Sequence, residues 1–436
     1  MKLPATTLDD KYVQTSGTMF MTGTQALVKL VLLQRALDAA RGLNTAGFVS
    51  GYRGSPLGNL DIALWGAREL LDRNQIRFQP AVNEELAATA CWGTQQAMLM
   101  PDAKYDGVFA AWYGKGPGVD RSGDALKHGN LAGTARHGGV LVLAGDDHMS
   151  KSSTLAHQSE QALMAALIPV LNPPSVREYL HLGLAGWALS RFAGVWVGLK
   201  CLADTVDSSG TIAFDLEHAR FDVPSMGEDF ARFRAPLATL QTRLEEEALL
   251  VHRLEAARAF ARHNRLDRPL WRPARRRLAL VTAGKPHVAT LQALSDLGID
   301  RRAGEALGLG IYNVTMPWPL DVDSLRDFVV GYDEVLFIED KRAIVEPQAA
   351  HALYNLAPEL RPRVTGKRGL DEAPLLPSHG ELSPTVIRRA VLARLTATGP
   401  LDPGLSARAD HLDSHEARVL GAVRTVAPRT AAFCSG

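Results

Sequence analysis

The chain has 436 residues, enough for two or three domains, and its 46% hydrophobic and 22% charged residues are ordinary for a soluble globular protein. Forty-eight Lys and Arg against 47 Asp and Glu leave a formal charge of +1, without the basic excess that a nucleic-acid binder carries. No apolar run approaches the ~20 residues of a membrane span, and the opening MKLPATTLDDKYVQTSG, with no apolar core and two adjacent aspartates, is neither a secretory signal nor a transit peptide. A cytoplasmic protein with no nucleic-acid or membrane partner is expected. Cys91, Cys201 and Cys434 lie far apart, with no close pair of the kind that zinc or iron–sulfur sites use. Cys91 and Cys201 read as small buried apolar residues.

Taken in order, residues 1–20 form an N-terminal arm. From Thr24 to Ala40, Ala26, Leu30, Leu33, Leu37 and Ala40 recur at helical spacing, and Gly42 supplies a stop. Strands are predicted at 46–50, 78–82, 107–113, 140–144, 168–171 and 195–199, separated by helical segments. That alternation, over a domain spanning residues 21–210, predicts an α/β fold: a doubly wound parallel sheet covered on both faces, with ligands at the carboxyl ends of its strands. Residues 211–277 read as a helical connector, with Leu240, Leu244, Leu250, Leu254 and Ala257 on one face and a solvated Arg272–Arg277 stretch at its end. A second α/β unit is predicted over 278–370, and 371–436, rich in Pro, Ser and Gly with one helix at 384–395, reads as a linker.

Candidate chemistry begins at Asn83-Glu84-Glu85, where a strand gives way to a helix of small residues. A first-turn glutamate is also what the helix dipole favours, so capping alone explains the pattern equally well. Small residues on one side of that helix let it approach another backbone closely, as a site for a flat cofactor ring requires. The turn Gly51-Tyr52-Arg53-Gly54-Ser55-Pro56 sits after the first strand of the sheet, and Ser55 could bond a ligand or cap the next helix. Gly114–Gly118 (GKGPG) is not a dinucleotide loop, because its spacing departs from G-x-G-x-x-G and Pro117 lacks an amide donor. Lys127-His128 and Asp146-Asp147-His148 lie beside predicted strand ends and are ambiguous on sequence alone.

The ordered set GTQALVKLVLLQRALDAARG, GYRGSP, NEELAATACWG, LKHGNLAG, GVLVLAGDDHMSKSSTLAHQSEQ and PVLNP resembles the pyrimidine-binding domain of thiamine-diphosphate-dependent 2-oxoacid:ferredoxin oxidoreductases, above all the indolepyruvate type in its long fused bacterial form. The resemblance extends over 278–370, which is similar to a transketolase C-terminal-like domain, and APRTAAFCSG is similar to the start of a diphosphate-binding domain. It implies oxidative decarboxylation of an aryl 2-oxoacid with coenzyme A, ferredoxin accepting the electrons. Glu84 would lie against N1′ of the thiamine aminopyrimidine and drive that ring to its imino form. Asn83 and Pro56 would line the cofactor; Ser55, Lys127 and Arg53 would meet the substrate, Lys127 as a cation for its carboxylate. The family's turn is of the Tyr-Pro-x-Thr-Pro type, so Ser55 replaces a Thr and Arg53 departs from a Pro. Magnesium and diphosphate ligands are expected on a diphosphate-binding region in the same polypeptide or another subunit, and [4Fe-4S] clusters elsewhere in the enzyme. A homo-oligomer is expected. Two other classes stay open: a catalytically silent assembly subunit, and a module binding acyl-CoA or a nucleotide.

Overall fold

The computed structural model describes residues 9–151, 153, 155–227, 230–234 and 242–423; Leu240, Cys434 and the APRTAAFCSG segment fall outside them. The chain divides into two compact units, the first running to Leu266 and taking in Thr315–Asp321, the second made of Asp267–Val314 and the residues from Val322 onward.

In the first unit, the strands are β1 (Ser16–Thr22), β2 (Thr45–Gly51), β3 (Ile76–Phe78), β4 (Gly107–Lys115), β5 (Val140–Asp146), β6 (Val170–Leu171), β7 (Trp196–Leu202) and β8 (Ser209–Asp215). Six of them form one sheet in the order β3-β2-β4-β5-β7-β6, every neighbouring pair parallel. The sequence reason is visible within β4. Phe109, Ala111 and Tyr113 join one buried cluster with the Gly23–Ala40 and Tyr179–Ala193 helices, whereas Ala110 and Trp112 join another with the Glu84–Gln96 and Gly123–Ala132 helices. A strand buried on both faces must be apolar at every position, which is what FAAWY supplies. Close helix packing on the first face depends on Gly183, where a Cβ would stand 2.2 Å from the Leu30 side chain. Among the described residues no helix is long and apolar enough to cross a membrane.

Several expected boundaries move. The strand predicted at 78–82 lies earlier and is shorter, as β3 at 76–78, and Ala81 beyond it donates its amide to the Gly51 carbonyl (3.0 Å). The predicted N-terminal arm contributes β1, which pairs antiparallel with β8 from Ser16↔Asp215 to Thr22↔Ser209, so the first part of the predicted connector is a strand. The rest of that connector is helical over 242–263, but Ala248–Arg253 is π-helical. The wider π turn rotates the buried face: Leu244 and Leu250 are exposed, while Leu249, Leu254, Ala257, Phe260 and Ala261 are buried. Trp318 bridges Val170 at the β6 edge, which is why Thr315–Asp321 belongs with this unit.

The second unit carries β9 (Arg268–Trp271), β10 (Leu278–Ala283), β11 (Leu309–Val314), β12 (Glu334–Ile338) and β13 (Arg363–Thr365) in the order β13-β12-β10-β11-β9, parallel except for the antiparallel edge strand β9. Its core includes Leu280, Ile311, Leu336 and Leu294, and also Ile387, Val391 and Leu395 from the Pro384–Thr398 helix. The segment read as a linker is therefore partly domain. Arg394 of that helix reaches the fully buried Glu334 with both guanidinium arms, at 2.5 and 2.9 Å. Nor is the Arg272–Arg277 stretch simply solvated: Arg277 is buried and donates to the Leu395 carbonyl at 2.9 Å, and Arg276 donates to Val330 at 2.7 Å.

Candidate active site at the carboxyl edge of the first sheet

In the strand order, β3 lies on one side of β2 and β4 on the other, so the connections leaving β2 and β4 diverge and leave a crevice at their carboxyl ends. Glu84 is the first residue of the helix that follows β3, and at 7% exposure it is buried in this region. Two contacts fix its backbone: the Asn83 side chain caps the helix by accepting the Leu86 amide (2.9 Å), and the Trp112 indole donates to the Glu84 carbonyl (2.8 Å). The carboxyl lies against the turn after β4. A Cβ on Gly118 would stand 2.7 Å from Glu84 Oε1, and one on Gly114 would stand 3.3 Å from its Cγ. Glycine at 118 thus makes room for the Glu84 side chain. Glu85, the next residue round the helix, is exposed.

The GYRGSP turn closes the same edge. Tyr52 donates its amide to the Tyr113 carbonyl (3.2 Å), and a Cβ on Gly54 would meet Lys115 at 2.8 Å. Pro56, after a cis Ser55–Pro56 bond, packs at the end of β5, 3.1 Å from where a Cβ on Gly145 would be. Ser55 is half-buried beside it. Arg53 is exposed, and its charge acts on the Tyr113–Asp61 pair, whose hydroxyl–carboxylate bond is 2.6 Å. Burial holds Asp61 above the usual carboxylate range, against the opposing influence of that hydroxyl and of Arg53. Lys127 is different. It lies on the exposed side of the Gly123–Ala132 helix, next to His128, which stacks on Trp92 (6.2 Å between centroids); among the described residues no hydrogen bond or ion pair joins it to Glu84 or Ser55. The GKGPG segment ends β4 and begins the short Gly116–Arg121 helix, with Pro117 in its first turn.

A second set of groups stands at the same edge, of which the sequence marks Asp146 as ambiguous and does not mark His157, Asp120 or Lys200. Asp146 ends β5, fully buried, and accepts from the Ser159 hydroxyl (2.6 Å) and amide (2.9 Å). His157 stands between two acids, its Nε2 2.8 Å from Asp120 and its Nδ1 3.4 Å from Asp146. Lys200 from β7 lies 3.6 Å from Asp146 and 2.5 Å from Glu160. The imidazole also packs on Gly116, where a Cβ would stand 2.2 Å from its ring. It therefore flanks the same turn whose Gly118 meets Glu84. The signal in the sequence was an Asp-Asp-His at a strand end followed by His-Gln-Ser-Glu, but only the return of the chain past β5 brings the two together.

Burial disfavours the Asp146 charge, yet the His157 hydrogen bond, Lys200, His148 and Ser159 outweigh it and hold its pKa well below the usual range. Burial likewise disfavours charged His157, and Asp146 and Asp120 outweigh it, raising its pKa. The depressed acid contributes stability above its unfolded pKa of ~3.9, lost as pH falls; the raised imidazole contributes below ~6.5, lost as pH rises through its folded value. The pair is therefore worth most between those limits. Asp146→Asn is expected to lower the His157 pKa, readable from its imidazole NMR resonances across pH; an unchanged titration would disconnect the two groups.

Gly118→Ala gives a second expectation. The new methyl would collide with the end of a side chain, Glu84, and not with backbone. The fold should survive within ~1 kcal/mol while the carboxyl is displaced, so thermal unfolding should change little and any activity that needs Glu84 should fall at least ~10-fold. Loss of folding, or full activity, would contradict this geometry.

Comparison with known proteins gives two findings. Residues 268–418 match the family model described as the indolepyruvate oxidoreductase domain. Among solved structures, 2-oxoglutarate:ferredoxin oxidoreductase from Magnetococcus marinus, solved with 2-oxoglutarate, coenzyme A and succinyl-CoA bound, is 14% identical with a TM-score of 0.58. That match covers 87% of this chain and 66% of that one, so the chain spans a little under two thirds of the length of the protein it matches. A split-gene transketolase, described as an inactive beta4 tetramer, is 12% identical with a TM-score of 0.50, covering 87% of this chain and 99% of that one. Comparison with curated proteins finds no match in sequence. At these identities the likeness establishes the fold alone, a doubly wound parallel-sheet unit and a second α/β unit.

Proposed function

We propose that this chain supplies the aminopyrimidine side of a thiamine diphosphate site in a 2-oxoacid:ferredoxin oxidoreductase, and that its substrate is an aryl 2-oxoacid of the indolepyruvate kind. One observation carries the reading: a buried carboxyl, Glu84, held at a helix N-terminus beside the β2–β4 switch point with glycine backbone against it. The indolepyruvate oxidoreductase domain match in the second unit and the fold likeness to a 2-oxoacid:ferredoxin oxidoreductase support it independently.

The residues present fit the group in question. A flat aminopyrimidine needs a carboxyl at one ring nitrogen, and the absence of a side chain at Gly118 lets the buried Glu84 carboxyl sit against backbone at this edge. Thiamine diphosphate, when bound, supplies the electron sink for decarboxylation next to a carbonyl. Glu84 would hold the proton shared with N1′, in a site where burial by Trp112 and Ala87 limits competing water. Asn83 keeps the helix start in place, and Pro56 shapes the crevice wall. Ser55 would donate to the 2-oxoacid, Arg53 would attract its carboxylate from the exposed rim, and Lys127 would act as a more distant cation. Magnesium, the diphosphate ligands and the [4Fe-4S] clusters would come from other regions of the enzyme, as would the ferredoxin and coenzyme A contacts, in a homo-oligomeric assembly.

The test is deuterium exchange at C2 of the cofactor in enzyme assembled with its diphosphate-binding region, comparing native chain with Glu84→Gln. Equal exchange rates would remove Glu84 from this role. A complementary measurement is calorimetric titration of residues 1–436 alone with thiamine diphosphate and magnesium. Weak binding is expected, and micromolar binding would mean that the diphosphate site lies within these residues.

A further inference from the structure

The first unit holds a cavity of about 740 Å³ at the opposite edge of the sheet from Glu84, near the amino ends of β2 and β5. Leu43, just before β2, and Arg136 and His137, just before β5, stand on its wall. Its size is that of a pocket for a drug-sized ligand. Two kinds of side chain line it. Phe192, Phe221, Phe230 and Phe260 form an aromatic floor, with ring centroids 5.6 to 6.2 Å apart. Arg41, Arg136, Arg191 and Arg234 provide the polar wall.

Among the described residues that line the cavity there are four arginines and no acid. Asp38, the acid beneath it, is already committed: Arg191 grips both its oxygens at 2.6 and 2.8 Å, and it also receives the Thr45 hydroxyl and the Gln34 amide. Arg234 donates only to the Arg191 carbonyl among the described residues, at 2.6 and 2.9 Å. Arg136 is exposed and makes no hydrogen bond or ion pair within the described residues. Burial, Arg253 and Arg136 together lower the Arg234 pKa to about 10, and burial, Arg191 and Arg136 lower that of His137. Part of the arginine charge answers the carbonyl ends of the Gly23–Ala40 and Tyr179–Ala193 helices, and among the described lining residues no acid answers the rest.

We infer that this cavity is a binding site for an anionic amphiphile, its carboxylate or phosphate head on Arg136 and Arg234 and its apolar body on the phenylalanine floor. Guanidinium groups bind either head through paired donors, and the cavity has room for an acyl chain or fused ring system. No chemistry takes place there; the site is for recognition, on an edge of the sheet away from Glu84.

The experiment is calorimetric titration of the full 436-residue chain with decanoate, decyl phosphate and uncharged 1-decanol, each below its aggregation concentration. One-to-one binding of decanoate or decyl phosphate, at least tenfold tighter than decanol, is expected; whichever anion binds more tightly identifies the head group. Arg136→Glu should weaken that binding at least tenfold, and because Arg136 is exposed and unbonded the variant should unfold at the native temperature. Glu84→Gln should leave the affinity unchanged, which separates this site from the proposed cofactor site. Absence of anion binding, equal affinity for decanol, or undiminished affinity in Arg136→Glu would each overturn the inference.

Discussion

Glu84→Gln is expected to lower turnover of the assembled enzyme ~10²–10⁴-fold while leaving the fold intact, the range for removing a positioned acid–base group. The substitution is nearly isosteric, so the amide would occupy the space that Gly118 leaves and the Asn83 and Trp112 contacts to the helix start would persist. Only the proton changes. An amide cannot share a proton with a ring nitrogen as a carboxyl does, so the loss should appear in the rate of C2 proton exchange as well as in turnover. Circular dichroism and thermal unfolding would confirm that structure is retained. Near-native turnover would leave Glu84 with the helix-capping role that its position also allows.

The largest stability effect is expected at Arg394→Met, about 3–5 kcal/mol, because it strands the buried Glu334 carboxylate. Glu334 is fully buried in β12, bound by Arg394 at 2.5 and 2.9 Å and by the Thr365 hydroxyl at 2.9 Å. Arg363 lies farther off, at 3.7 Å and half exposed, and it cannot replace two short charged bonds. The double variant Glu334→Gln with Arg394→Met should recover much of the loss, since no buried charge is then left alone. Denaturant titration of the four proteins in the cycle decides it. A single variant within ~1 kcal/mol of native would show that Arg394 does not anchor its helix.

Apolar patterning made the parallel sheet of the first unit legible without coordinates. Segments such as Val140–Ala144 and Trp196–Leu199 are apolar at successive positions, and only burial on both faces explains that in strands of this length. Glu84 stood out for a similarly local reason: an acid at a strand-to-helix junction marks a helix start, and helix starts after parallel strands lie at the ligand edge. Local pattern failed where long-range pairing decides. Nothing in SGTMFMT announces that it will pair with SGTIAFD, nearly two hundred residues later. The π-helical turn at Ala248–Arg253 moved the buried face of a helix whose periodicity had been read as regular.

Sequence by itself thus determined the fold class, the succession of the six strands of the parallel sheet and the placing of one acid at a ligand edge, since each follows from side-chain burial over a few neighbouring residues. The tertiary structure alone decided the company that acid keeps. It brought His157 back beneath the end of β5, between Asp146 and Asp120, and set Gly118 against the Glu84 carboxyl. It also turned the expected linker into part of a core through Arg394 and Glu334. Those partners are up to sixty residues apart, and a buried charge left without its distant partner would be costly, a dependence that no local pattern encodes.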